Sequence, residues 1–165
     1  MPTETERTIR NSPHSYQGTR CGGVRRTTLE RRTDSLHQAK IVLAEDDEDM
    51  RDLLAGALKR AGYAVDEVAD GNELLDHLAD GLLAEGRVPP DLIVSDIRMP
   101  GWTGLDVLAG LREPDWTVPI ILITAFGNEE THAEAERLGA AVLLDKPFDV
   151  DDLLQAVHKV ISEIS

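Results

Sequence analysis

The sequence predicts an α/β fold in which an open, doubly wound, five-stranded parallel sheet carries five helices. Two patterns lead to this prediction. Short, mostly apolar runs alternate five times with longer segments whose apolar residues recur every three to four positions. Most of the runs lack the polar alternation of a half-exposed strand, as expected where helices cover both faces of a sheet. Right-handed crossovers between such strands give the doubly wound arrangement.

The first half of the regular region contains three strands and two helices. The strands are predicted at 41–44, 63–68 and 92–94, and the second is the most polar. Apolar residues at helical spacing predict one helix that ends at Gly62 and another that follows the turn at Asp70-Gly71. These apolar residues are Met50, Leu53, Leu54, Ala57 and Leu58, then Leu74, Leu75, Leu78, Leu82 and Leu83.

The second half continues the alternation with three helices and two strands. Thr103 can cap the third helix, which extends to Leu111. The fourth strand, 118–123, is the most apolar, and a polar helix at 129–138 follows it. The last strand is predicted at 140–144. Asp149 then opens a final helix with Leu153, Leu154, Val157, Val160 and Ile161 on its apolar face.

Charge divides the chain into two regions. The 165 residues carry 17 basic and 31 acidic side chains, a formal charge of −14. Residues 1–39 hold seven arginines and four acids without a sustained apolar period, so we interpret them as a disordered tail. Such a tail could bind nucleic acid, lipid or a protein partner, although a solvated tail without a specific partner is the commoner role. Residues 40–165 form the predicted domain.

Composition also limits function and location. A chain this acidic does not attract nucleic acid or an anionic membrane through its overall charge. The single cysteine, Cys21, allows no intrachain disulfide and no thiolate metal cluster. The first residues lack a signal-peptide pattern, and no segment approaches the roughly 18 apolar residues of a membrane span. We therefore expect a soluble, cytoplasmic protein without a membrane partner.

Polar residues follow four of the five predicted strands. Glu45 and Asp46 follow the first strand, and Asp96, Thr124 and Lys146 follow the third, fourth and fifth. Ligands of doubly wound folds bind at this carboxyl edge, so we expect these side chains to share one pocket. Two unit charges about 4 Å apart repel by roughly 4 kcal/mol at an effective dielectric constant near 20. The three carboxylates therefore need Lys146 and a further cation, for which Mg²⁺ fits best because it prefers oxygen ligands.

Such a pocket is suited to phosphoryl transfer. An aspartate can act as the nucleophile and form an acyl phosphate, while a metal and a lysine neutralise the transferring oxygens. No P-loop or dinucleotide-binding glycine motif indicates a nucleotide donor. Asp52 stands where an EF-hand starting at Asp47 needs glycine, and residues 47–49 are interpreted as the acidic start of a helix. The histidines lack metal-ligand spacing, and we expect His77, His132 and His158 on helix surfaces.

Four motifs, in chain order, resemble those of the receiver domains of two-component response regulators. They are Ile41 to Asp47 (IVLAEDD), Asp91 to Gly101 (DLIVSDIRMPG) with Gly104, Ile121 to Ala125 (ILITA), and Lys146 to Phe148 (KPF). The resemblance covers residues 40–165. It implies the flavodoxin-like, CheY-like topology of receivers and a role as a phosphoacceptor in a two-component or phosphorelay system.

The resemblance also implies a role for the acidic residues. Asp96 would accept a phosphoryl group from a phosphohistidine of a sensor histidine kinase or a histidine phosphotransfer protein. Mg²⁺ would be bound by Asp96, directly by Asp46, through water by Glu45, and by the backbone carbonyl of Arg98.

The remaining site residues would respond to the phosphoryl group. Lys146 would pair with it, and Thr124 would hydrogen-bond it as the switch residue. The Lys146–Pro147 bond would be cis, as in the family. The switch would alter the surface formed by the helix 129–138, the strand 140–144 and the last helix, which would contact a downstream protein target.

The chain departs from the family pattern in two places. Leu143 stands where the fifth strand usually has an aromatic ring, so we do not expect the usual coupling of that ring to Thr124. The chain ends at Ser165, soon after the last helix. We therefore expect a stand-alone receiver without a DNA-binding domain.

Two other functions remain open at this point. A phosphorylation-independent interaction module would tolerate Leu143, but the intact acidic set with Thr124 and Lys146 argues against it. An aspartyl phosphohydrolase would need a second acid at position 98, where Arg98 stands. We expect a signalling protein rather than an enzyme, with slow autodephosphorylation at most, at a rate that Arg98 and Phe126 influence.

Overall fold

The computed structural model describes residues 38–83, 88–111 and 116–165. Residues 1–37 of the predicted tail lie outside the described part of the chain. The strands are β1 (Lys40–Ala44), β2 (Ala64–Val68), β3 (Leu92–Asp96), β4 (Ile120–Thr124) and β5 (Val142–Asp145). The helices are α1 (Glu48–Arg60), α2 (Gly71–Leu83), α3 (Gly104–Gly110), α4 (Glu129–Arg137) and α5 (Val150–Ile164).

All neighbouring strands are parallel, in the order β2-β1-β3-β4-β5. This confirms the predicted fold class. Two strands, β4 and β5, begin two residues later than predicted. The Ala140 amide closes the end of α4 by donating to the Ala135 carbonyl at 2.9 Å, so β5 begins two residues later. Pro119 cannot donate a backbone hydrogen bond and precedes the first residue of β4.

The sheet separates two apolar cores because alternate strand residues face opposite sides. On one side Ile41, Leu43 and Ile121 pack with buried residues of α1 and α5. On the other side Val42 and Ile93 pack with α2, α3 and one residue of α4. β1, β3 and β4 are therefore almost wholly buried, and their carboxyl ends are held at one level beneath the candidate site.

Local sequence signals set the helix ends. Asp47 caps α1 by accepting the Met50 amide at 2.8 Å, and acids fill its first turn, as predicted. Thr103 forms a capping box with Asp106 at the start of α3. Gly62 and Gly139 follow α1 and α4 with positive φ, which confirms both as helix stops. Among the described residues, none of the helices combines the length and the apolar character that a membrane crossing requires.

A small charged cluster joins α2 to the sheet edge. Asp66 Oδ2 lies 2.8 Å from Lys40 Nζ and 3.0 Å from His77 Nε2. Burial alone would raise the pKa of Asp66, but hydrogen bonds and charges of Lys40 and His77 outweigh it and lower that pKa. His77, expected at the surface, has a side chain that is 28% exposed and is tied to the strand.

The cluster leads to a prediction for Asp66→Asn. At pH 7 the substitution should lower the free energy of unfolding by less than about 1 kcal/mol, because partly exposed ion pairs contribute little. A lowered folded-state pKa adds stability above the ordinary value of 3.8 and loses it as pH falls through the folded value. Urea unfolding should therefore show a difference from wild type that shrinks below pH 3.8. Asp80→Asn, at an exposed position of α2, is the control, and a difference that persists at low pH would contradict the ion-pair explanation.

Candidate acidic phosphoacceptor site

The structure brings the three predicted carboxylates together at the carboxyl edge of the sheet. β1 and β3 are neighbours, and Ala44 pairs with Ser95, so Glu45 lies beside Asp96. One carboxylate oxygen each of Glu45, Asp46 and Asp96 lies within 4.8 Å of the others. Glu45 is 1% exposed and Asp96 5%, whereas Asp46 is exposed. Two buried acids and one exposed acid therefore form a single cluster.

Lys146 is the positive charge of this cluster. It follows β5, two strands away from β3, and its side chain reaches across the end of β4. Its Nζ donates to Asp96 Oδ2 at 2.7 Å and to Glu45 Oε2 at 2.9 Å. Burial alone would lower the pKa of Lys146, but the hydrogen bonds to both carboxylates raise it, which keeps the ammonium protonated. The following Lys146–Pro147 bond is cis, as the resemblance implied.

One ammonium does not compensate three carboxylates. Burial raises the pKa of Glu45, and the nearby charge of Asp96 raises it further. The hydrogen bond from Lys146 and the bond from the Asp47 amide, at 3.2 Å, act in the opposite direction without cancelling the rise. Excess negative charge therefore remains at a partly dehydrated site.

The residues present fit a hard divalent cation. All three side chains offer carboxylate oxygens, the ligand type that Mg²⁺ prefers, and the uncompensated charge has the sign that a cation would neutralise. The Arg98 amide donates to Asp96 Oδ1 at 2.9 Å, which holds the Arg98 backbone beside the carboxylate. Both oxygens of Asp96 are thus oriented, one by Lys146 and one by the chain two residues ahead.

A cavity of about 600 Å³ adjoins the acidic cluster. Thr124 and Lys146 line it together with Arg98, Phe126 and the start of α4. Thr124 is buried, and its Oγ1 accepts the Phe126 amide at 3.1 Å. Its carbonyl accepts the Lys146 amide at 2.7 Å. The backbone therefore joins the predicted switch residue directly to the predicted phosphoryl-pairing residue.

An arginine and an aromatic ring meet at the rim of this cavity. The Arg98 guanidinium carbon lies 4.1 Å from the centre of the Phe126 ring, a cation–π contact. Phe126 is 60% exposed, so the contact lines the cavity at the surface without being part of the core.

Sequence reasoning missed several contacts around the site. The Arg51 side chain donates to the Glu45 carbonyl at 2.8 Å. His132, expected only as a surface residue, lies with Nε2 2.9 Å from Asp145 Oδ2. A Cβ at Gly127 would overlap that Asp145 carboxylate. The Arg51 contact spans only six residues. The contacts of Asp145 follow no local sequence pattern, because they join the region of α4 to the end of β5, which only the folded chain brings together.

Leu143 lies in β5 opposite Leu122. It is partly buried and packs against the core cluster that includes Ala135 of α4. An aliphatic side chain thus occupies the position where the family usually has an aromatic ring.

Comparisons with known proteins agree with this geometry. The sequence profile of the response regulator receiver domain matches residues 41–158. The C4-dicarboxylate transport transcriptional regulatory protein DctD of Pseudomonas aeruginosa is 36% identical over 124 residues, which are 75% of this chain and 25% of that protein. Sporulation initiation phosphotransferase F of Bacillus subtilis is 32% identical over 120 residues, which are 73% of this chain and 91% of that protein.

Solved structures lead to the same group. The chemotaxis response regulator CheY4 of Vibrio cholerae superimposes with a TM-score of 0.64 at 31% identity, covering 75% of this chain and 99% of the other. The chain spans only about a quarter of the length of the transcriptional regulators it matches first.

Substitution of Lys146 by methionine tests the charge balance. With EDTA present at pH 7, Lys146→Met should lower the free energy of unfolding by about 1–3 kcal/mol, because two buried carboxylates lose their charged donor. Added Mg²⁺ should recover part of the loss, since a bound cation offsets the same negative charge. Denaturant titrations with EDTA and with Mg²⁺ measure both effects.

The matched control is Lys59→Met, which removes an exposed ion pair with Glu67. Its loss of stability relative to wild type should be less than about 1 kcal/mol, and this difference should be the same with EDTA and with Mg²⁺. Equal losses in the two variants would contradict the proposed role of Lys146 in balancing the buried acids.

Proposed function

The chain belongs to the family of response regulator receiver domains, and from this premise we propose that it is a phosphoacceptor of a two-component or phosphorelay system. Asp96 would take a phosphoryl group from a phosphohistidine on a sensor histidine kinase or a histidine phosphotransfer protein. One observation carries the proposal: Asp96 ends a central strand as a buried carboxylate held between Lys146 and the Arg98 amide. The Bacillus subtilis relative is named a phosphotransferase, which supports the same chemistry.

The transfer is an in-line displacement at phosphorus. A carboxylate oxygen of Asp96 forms the new P–O bond while the P–N bond of the phosphohistidine breaks, and the imidazole leaves with the bonding electron pair. The Lys146 ammonium is placed to pair with an oxygen of the transferred group. The carboxylates of Glu45, Asp46 and Asp96 and the Arg98 carbonyl would hold Mg²⁺, whose charge would offset that of the transferring group.

Thr124 would convert the new charge into a movement. Its hydroxyl now accepts the Phe126 amide, and it would donate to a phosphoryl oxygen once Asp96 is phosphorylated. The phosphoryl group carries a charge of about −1.5 to −2, which replaces the single negative charge of the free carboxylate. Drawing Thr124 inward would pull the loop that precedes α4. The surface formed by α4, β5 and α5 would then shift between two forms, of which a downstream protein target binds one.

The proposal also covers where the protein acts and how its phosphoaspartate is lost. We propose that the protein acts in the cytoplasm. We also propose that it is not an enzyme, apart from slow hydrolysis of its own phosphoaspartate. The longer transcriptional regulators among its relatives have further segments, and the proposal for this chain concerns the receiver region alone.

Asp96→Asn tests the central claim. Incubation with Mg²⁺ and a small acyl-phosphate donor should give the wild type an acid-stable, base-labile phosphate. The variant should lose at least about 100-fold in labelling rate, because the carboxamide is a poor nucleophile. EDTA should suppress labelling of the wild type. Asp76→Asn, at an exposed position of α2, should label normally, and equal labelling of the Asp96 variant would refute the assignment.

The cation–π contact between Arg98 and Phe126 should influence the lifetime of the phosphorylated form. Under this proposal the Arg98–Phe126 contact shields the phosphoryl group from water, and a cation–π contact at an exposed site is worth about 0.5–1 kcal/mol. Arg98→Ala and Phe126→Ala should therefore each speed loss of phosphate by about two- to fivefold. The double variant should lose phosphate no faster than the faster single variant if the two side chains act as one cover. Single-turnover decay of labelled protein measures this, with Arg137→Ala on α4 as the control. Additive effects would contradict a shared cover.

A further inference from the structure

The loop between β3 and α3 rests on the first turn of α2. This loop, residues 97–103, begins directly after Asp96 and carries Arg98. The Gly71 amide at the start of α2 donates to the Pro100 carbonyl at 3.3 Å. A Cβ at Gly71 would overlap the carbonyl oxygen of Trp102 and would lie 2.6 Å from its carbonyl carbon. The loop backbone therefore occupies the space that any side chain at position 71 would need.

The contact is matched from the opposite side. Gly101 has a φ of 78°, and a Cβ there would lie 2.6–2.9 Å from Nδ2, Cγ and Oδ1 of Asn72. Gly71 is not among the positive-φ glycines, so space rather than backbone conformation requires glycine at that position. The two glycines thus interlock α2 with the loop. Gly71 faces Trp102, the neighbour of Gly101, and Gly101 faces Asn72, the neighbour of Gly71.

The loop has little freedom to absorb a displacement. The Gly104 amide donates to the Ile97 carbonyl at 3.0 Å, and a Cβ at Gly104 would lie 2.6 Å from the Asp96 carbonyl. Ile97 and Met99 are both buried, each 7% exposed. A displacement of the loop at Pro100 to Trp102 would therefore also move Arg98, whose amide orients Asp96 Oδ1.

We propose that Gly71 and Gly101 are positioning residues for the phosphoacceptor site. They set the distance between α2 and the loop, and thereby hold Arg98 in the place that orients Asp96 and offers the Arg98 carbonyl to Mg²⁺. The effect on phosphorylation rests on the proposed function, whereas the effect on the metal-free loop does not. A site-building role at α2 is unexpected from the sequence, where Asp70-Gly71 signals only a turn.

Gly71→Ala is the first test, and Gly81→Ala is its matched control. Both replace a glycine of α2, but a Cβ at Gly81 meets nothing within 4 Å. In metal-free protein, Gly71→Ala should shift the NMR resonance of the Arg98 amide, and Gly81→Ala should not. Calorimetric titration with Mg²⁺ should show at least about threefold weaker binding for Gly71→Ala only, and labelling by a small acyl phosphate should slow in parallel.

The second test uses the other side of the interlock. Gly101→Ala should also weaken Mg²⁺ binding, and Asn72→Ala added to it removes all three atoms that the new methyl group would strike. The double variant should therefore recover part of the Mg²⁺ affinity and part of the shift of the Arg98 amide resonance, because the clash is removed. The strain of a side chain at a φ of 78° remains in both variants. If Gly71→Ala does not fold, the comparison of Gly101→Ala with the Gly101→Ala, Asn72→Ala double variant tests the positioning role without it.

The outcomes separate the two proposals. A Gly71→Ala protein with the Arg98 resonance and Mg²⁺ affinity of the Gly81→Ala protein would overturn the positioning role, and so would a Gly101→Ala defect that Asn72→Ala leaves unchanged. Either result leaves phosphorylation of Asp96 standing. Labelling of Asp96→Asn at the wild-type rate would instead overturn the proposed function, while the metal-free resonances would still decide whether the interlock positions the loop.

Discussion

The candidate site depends on one constraint, which is that a single ammonium must serve two buried carboxylates on different strands. Lys146 follows β5, Glu45 follows β1, and Asp96 is the last residue of β3. The lysine can therefore bridge the two carboxylates only if the three strand ends lie at one level. A parallel sheet with near-equal strands satisfies this condition. The two apolar cores therefore act on the site indirectly, because they fix the levels at which the strands end.

The same constraint leaves the site short of positive charge, and this shortage explains its proposed reactivity. Burial and the charge of Asp96 raise the pKa of Glu45 even though Lys146 is in contact with it. A fully compensated cluster would gain little from a cation. A cluster with excess negative charge binds a cation more strongly. It can accept a phosphoryl group only when that cation is also bound.

The sequence predicts this site well because its residues follow strands, and the carboxyl ends of parallel strands meet at one edge whatever the helices do. Thus Glu45, Asp96, Thr124 and Lys146 could be assembled from strand positions alone. The contact of Gly71 with Trp102 could not, because it depends on how closely a helix approaches a loop 30 residues away. The alternating apolar pattern fixes which face of an element is buried, but it carries no information about approach distances of this kind.

Leu143 changes how a signal from Asp96 would leave the site. Without a ring in β5, movement of Thr124 would have to pass through the contacts that remain, and three of them join residues 124–132 to Asp145 and Lys146. The Thr124 carbonyl accepts the Lys146 amide, Gly127 leaves no space for a Cβ beside Asp145, and Asp145 bonds to His132 on α4. Under the proposed function, a shift of Thr124 would therefore displace the backbone beside Lys146 together with the helix that carries His132. Backbone hydrogen bonding and close approach can thus transmit the switch that an aromatic side chain performs in other receivers.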